Sequence, residues 1–83
     1  MIDKIKKLDP TILVADGYDD CIIGLTFRED ELVALYSIDR ILEKLAQDMS
    51  DIEAVEFFEF NIEGAYMGVK TPKYIWSDHD ALD

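Results

Sequence analysis

The chain has 83 residues, 49% of them apolar, with 19 acidic against 8 basic side chains and a net charge of −11. That length holds one core and buries roughly 60–65% of the unfolded surface; four Phe, four Tyr and one Trp argue against intrinsic disorder. Such charge repels phosphate backbones and anionic membranes, so direct nucleic-acid binding is not expected, and no apolar run reaches the roughly 18 residues that span a bilayer.

The opening MIDKIKKL carries lysines but leads into Asp9-Pro10 instead of an apolar stretch, so no secretory leader is expected. Ile2, Ile5 and Leu8 recur at threefold spacing, which predicts a short helical turn stopped at Asp9-Pro10. Ile12-Leu13-Val14-Ala15 is a β-prone run closed by the turn pair Asp16-Gly17. Cys21 to Phe27, rich in branched and aromatic residues, predicts a central strand. A polar connection, Arg28 to Glu31, joins it to a second strand, Leu32 to Tyr36, as an antiparallel hairpin. The single cysteine, Cys21, has no disulfide partner and reads as a small buried hydrophobe. Together with the missing leader it points to a reducing, cytoplasmic location.

Ser37 is placed as an N-cap for a helix whose apolar positions, Ile38, Ile41, Leu42, Leu45, Ala46 and Met49, fall on one face. Ser50-Asp51-Ile52-Glu53 fits a capping box. A second helix is expected to run to about Glu63 and end at Gly64. A connector over Ala65 to Lys70, an extended Thr71-Pro72 and a last short strand, Lys73 to Trp76, complete the body. Ser77 to Asp83 reads as a flexible acidic tail. The expected fold is therefore a single α+β domain over residues 1–76: a small antiparallel sheet of three to four short strands packed against two consecutive helices.

The second helix departs from a plain amphipathic pattern. Ala54, Val55, Phe58 and Ile62 make its core face, Phe57 widens that face, and Glu56, Glu59 and Glu63 line one flank. Phe60 projects beyond the acidic stripe, away from the core. Either the sheet, the connector or the C-terminal strand covers Phe60, or this side is a partner surface in which aromatic rings anchor and carboxylates steer. Glu56, Phe57, Glu59, Phe60, Glu63 and Tyr66 are the candidate partner-binding residues. A homodimer contact is one form of that surface. The Gly64/Gly68 spacing carries no dimer information outside an apolar 20-mer.

Catalytic groups are scarce. His79, the one histidine, lies in the tail between Asp78 and Asp80, where it cannot be held to catalytic tolerance. No Ser–His or Cys–His pair can be assembled in the body. Asp16, Asp19 and Asp20 cluster in one acidic turn but lack the alternation and closing Glu of an EF-hand loop, so a turn role is preferred. No phosphate-binding glycine motif is present, and no cofactor, metal or catalytic residue is assigned. Residues 16–31 hold six acids against one Arg, and residues 48–63 hold six acids and no base. If both segments share a face, that face imitates the spaced negative charge of nucleic acid.

ADGYDDCIIGLTF, from Ala15 to Phe27, and EFFEFNIEGAYMGVKT, from Glu56 to Thr71, resemble two stretches of a group of small tailed-phage and prophage proteins. The likeness covers most of residues 12–76. The chain keeps Asp16, Gly17, Tyr18, Asp19, Gly24, Asn61, Gly64, Ala65, Tyr66, Gly68, Thr71 and Pro72 of the group's pattern. It departs at Val69-Lys70, where an acidic residue is more usual. The resemblance implies a phage setting inside a bacterial host and supplies no activity.

The sequence thus favours a non-enzymatic acidic interaction protein that binds a host or phage protein, in the phage setting an inhibitor of a defence or nucleic-acid enzyme. The alternative is a homo-oligomer with a structural or small-ligand role, using Phe57, Phe60 and Tyr66 at the contact. A carboxylate metal enzyme built from Asp16, Asp19, Asp20 and the glutamates ranks third.

Overall fold

The N-terminal turn forms as helix α1, Ile2–Leu8. It stops where Pro10 has no N–H to continue it, and Asp9 turns the chain by accepting from the Thr11 N–H at 2.9 Å. Residues 2–77 are described by this computed structural model; of the expected tail, residues 78–83, His79 among them, lie outside them.

Ile12–Ala15 was expected as a strand and joins no sheet. Side chains serve its backbone instead: Lys6 Nζ donates to the Ile12 carbonyl, and the Ala15 N–H donates to the Tyr36 hydroxyl at 2.8 Å. Ile12 is fully buried all the same. A short 3₁₀ turn, Asp19–Cys21, then leads into strand β1, Ile22–Arg28.

β1 pairs antiparallel with β2, Glu31–Ser37, in the register Leu25↔Ala34 and Thr26↔Val33. The connection is tighter than expected, because β2 begins at Glu31 and Glu29 takes a positive φ of 58°. β3, Lys73–Ile75, adds to the other side of β2 in parallel. The sheet is therefore mixed, in the order β1-β2-β3, and β1 lies at its edge instead of its centre. A helical crossover between β2 and β3 returns the chain in the same direction, which makes the pairing parallel.

The crossover starts directly from the sheet. Ser37 ends β2 and caps helix α2, Ile38–Leu45, its hydroxyl accepting from the Arg40 N–H. The apolar pattern predicted helix through Met49, but the chain tightens after Leu45 into i→i+3 bonds such as Asp48 N–H to the Leu45 carbonyl. Helix α3, Asp51–Phe57, opens on a complete capping box between Ser50 and Glu53. Ser77, assigned to the tail, is held instead: its N–H donates to the Asp39 carboxylate at 3.0 Å.

Where α3 was expected to continue, the chain widens into a π-helix, Phe58–Glu63. Its last turn closes through the Gly64 N–H to the Glu59 carbonyl, an i→i+5 bond of 3.0 Å. Gly64 ends the element as predicted, but for a different reason. Its φ is −74°, open to any residue; a Cβ there would lie 2.8 Å from the Glu59 carbonyl oxygen and 3.2 Å from that of Phe60.

α1, β1, β2, α2, α3 and the π-helix close on one core, with Tyr36 and Ile41 fully buried inside it and Phe58 nearly so. Tyr74 on β3 stacks 5.5 Å from the Tyr36 ring and meets Phe58 edge-on at 5.5 Å. Gly64→Ala is expected to destabilise the fold by about 1–3 kcal/mol through this backbone overlap. Chemical denaturation measures it, and an unchanged midpoint would contradict the π-helical turn.

Candidate functional site

All six partner-binding candidates lie on the exterior. Phe60 is 79% exposed, Tyr66 64% and Phe57 39%, and Glu56, Glu59 and Glu63 are exposed beside them. Met49, Glu53, Glu56, Phe57, Phe60 and Asn61 line a shallow groove. None of the ion pairs among the described residues involves an acid from 48–63.

The acidic turn disperses. Asp16 lies at a cavity described below, Asp19 is exposed, and Asp20 pairs with Lys44 of α2 at 2.9 Å. The hydrogen bond from Lys44 lowers the Asp20 carboxyl below its usual range. Glu31 is held by Lys70 at 2.9 Å. Of the acids of 16–31, Asp20 and Glu31 are thus taken up in internal ion pairs, whereas Asp16 lines the cavity. Among the described residues, no three His, Cys, Asp or Glu side chains gather closely enough to hold a metal ion. Cys21 is buried, and burial pushes its thiol up to about 11, with the Asp20 carboxylate adding to the effect.

A cavity of about 210 Å³ opens between residues 13–18 and the segment from Asn61 to Tyr74. Leu13, Val14, Ala15, Ile62, Met67 and Pro72 supply apolar wall; Asp16, Tyr18, Asn61, Thr71 and Tyr74 add polar atoms. Asp16 alone of the nine candidate residues lines it. Tyr18, Asn61, Ala65, Thr71 and Pro72 belong to the pattern shared with the phage group, but the sequence assigned none of them to a site. Their spacing carries no trace of a cavity, because chain distances of more than 40 residues separate its two walls.

Each wall is fastened. The Tyr36 hydroxyl holds Ala15, as noted above. Asn61 Nδ2 donates to the Phe57 carbonyl at 3.3 Å. Across the connector, Thr71 Oγ1 accepts from the Met67 N–H at 2.7 Å, closing a turn in which Gly68 has φ 103°, a conformation side-chain-bearing residues rarely adopt. The Arg28 guanidinium, at the end of β1, donates to the carbonyls of Val69, Thr71 and Pro72, and its charge lies 5.8 Å from the Tyr66 ring centre. Burial pushes the Tyr74 phenol up to about 12, so it remains protonated at any physiological pH.

Searches against protein-family models, curated proteins and solved structures find no match for the chain. Fold and site together define a small α+β domain that presents an acidic, aromatic helical face beside an apolar cavity. Among the described residues no helix is long and apolar enough to cross a membrane.

Lys70 ties the connector to the N-terminal region, 2.7 Å from Asp9, with both side chains more than three-quarters buried. Hydrogen bonds from Lys70 and then from Thr11 lower the Asp9 carboxyl from 3.8 to about 2. A carboxyl depressed by folding stabilises the native state above its unfolded value and loses that contribution as pH falls through its folded value. Melting temperature is therefore expected to fall between pH 4 and 2, with a shallower decline in Asp9→Asn. Identical acid limbs in the two proteins would contradict the pairing.

Proposed function

We propose that the chain is a non-enzymatic interaction protein that docks a basic surface of another protein onto the face formed by α3 and the π-helix. The observation that carries this reading is Phe60: a ring 79% exposed on a helix whose neighbouring acids are unpaired by any described cation. Exposed aromatic rings lose the most water-contacting area when covered, and unpaired carboxylates steer a cationic partner without first breaking internal pairs. The sequence resemblance adds a phage setting, in which the target is a host defence or nucleic-acid enzyme and binding inhibits it. The internal pairing of Asp20 with Lys44 and of Glu31 with Lys70 favours such local docking over imitation of a whole nucleic-acid backbone.

The immobilised chain is expected to retain a partner from bacterial lysate at low salt and release it as salt rises. Phe60→Ala should weaken retention about tenfold or more, and the pair Glu56→Lys and Glu59→Lys should abolish it. Wild-type retention by both variants, each folded by circular dichroism, would overturn the reading.

A homodimer is the second reading, favoured by β1, whose outer edge has no strand neighbour among the described residues. Light scattering at micromolar concentration should then give twice the mass of 9.5 kDa; a strict monomer removes this reading and leaves the first intact.

A further inference from the structure

We propose that the cavity between residues 13–18 and the π-helix receives one lysine or arginine side chain of the protein partner. The proposal rests on the reading of the adjoining helical face as a protein-binding surface, and it names the group that the partner inserts.

Size sets the first limit. About 210 Å³ exceeds the roughly 150 Å³ of an apolar cavity that takes up benzene. It falls short of the roughly 300–1,000 Å³ typical of pockets for drug-sized ligands. One long side chain fits that range.

Chemistry sets the second. The walls formed by Leu13, Val14, Ile62 and Pro72 suit the methylene stem of a long basic side chain. The charged group at the cavity is the Asp16 carboxylate, and no described cation pairs with it. Asn61 uses its amide N–H on the Phe57 carbonyl, which leaves its oxygen as an acceptor. The rings of Tyr18 and Tyr74 line the same space. A carboxylate ligand would meet the repulsion of Asp16 and of a chain carrying −11. A purely apolar group would strip water from Asp16 without replacing its hydrogen bonds. A cation on an apolar stem satisfies both walls and carboxylate.

Location supplies the third argument. Asn61 lines both the cavity and the groove of Phe57 and Phe60, so the two are neighbours. A single basic segment of the partner therefore lies over the aromatic rings and reaches Asp16 with one side chain.

Titration with n-butylguanidinium, followed by amide chemical shifts, tests the cavity without the partner. Saturable shifts are expected at residues 14–18 and 61–65, weakened about fivefold in Asp16→Asn, with no focused shifts from the neutral analogue n-butylurea. Equal binding of the two probes, shifts spread evenly over the acidic surface, or an unchanged affinity in Asp16→Asn would overturn the proposal. In the lysate assay, Asp16→Asn and the cavity-filling Ala65→Phe, both verified as folded by thermal melting, should lose the partner. Loss with Phe60→Ala but full retention with Asp16→Asn and Ala65→Phe sinks the cavity assignment and leaves the helical face standing. No retained partner even for the wild-type chain sinks the face and with it the protein origin of the occupant, whatever the titration gives.

Discussion

The phenol of Tyr36 is the point from which the rest of the molecule is positioned. It sits fully buried on the central strand, and its hydroxyl accepts the Ala15 N–H at 2.8 Å. Its ring stacks on Tyr74, which in turn meets Phe58 at the start of the π-helix. One chain of contacts thus spans the 12–16 segment, both sides of β2 and the last helical element. The same contacts build the cavity: Ala15 belongs to one wall, Tyr74 is shared, and Ile62, one turn beyond Phe58, belongs to the other. Without the hydroxyl, the Ala15 N–H would need a new partner, and a buried amide left without one costs about 1–3 kcal/mol.

A second constraint is how few cations the chain has and where it uses them. Arg28 holds the carbonyls of Val69, Thr71 and Pro72, Lys70 bridges Asp9 and Glu31, and Lys44 pairs with Asp20. Each of these holds parts of the chain that lie apart in sequence, and none neutralises the acids of α3 or the π-helix. The negative potential of the 48–63 segment is therefore undiminished by local pairing, and salt within a Debye length of about 8–10 Å is what screens it. Internal tethering and external charge follow from the same allocation of eight basic residues.

Local chemistry was legible in the sequence wherever a short-range rule decides the outcome. The Ser37 cap, the Ser50/Glu53 capping box and the stop at Gly64 follow from side chains three residues away or fewer, or from the absence of a Cβ. Periodicity placed Phe60 away from the core but left open whether the sheet, the connector or the last strand covers it; the structure leaves it 79% exposed. Features set by distant partners were not legible. Ile12–Ala15 has strand composition but finds the Tyr36 hydroxyl instead of a strand edge, and the parallel pairing of β3 depends on how the helices return the chain. The three aspartates of the acidic turn are close in sequence and differ in their contacts, because Lys44 pairs with Asp20 from α2 while Asp16 lines the cavity. The cavity itself joins segments about 45 residues apart.

The π-helix brings these strands of argument together. Its i→i+5 geometry is rare and occurs mostly as single-turn insertions in α-helices. Here the widened turn is accommodated by Gly64, which lets the Glu59 and Phe60 carbonyls approach, and by Asn61, whose amide serves the Phe57 carbonyl. The same six residues expose Phe60, an apolar ring that folding leaves in water. Two unfavourable features therefore fall on one turn, and that turn separates the aromatic groove from the cavity. Stability alone favours an α-helical turn with a polar residue in place of Phe60. A turn that bears both costs, with Asn61 lining both the cavity and the groove, is what the proposed binding role of this segment would account for.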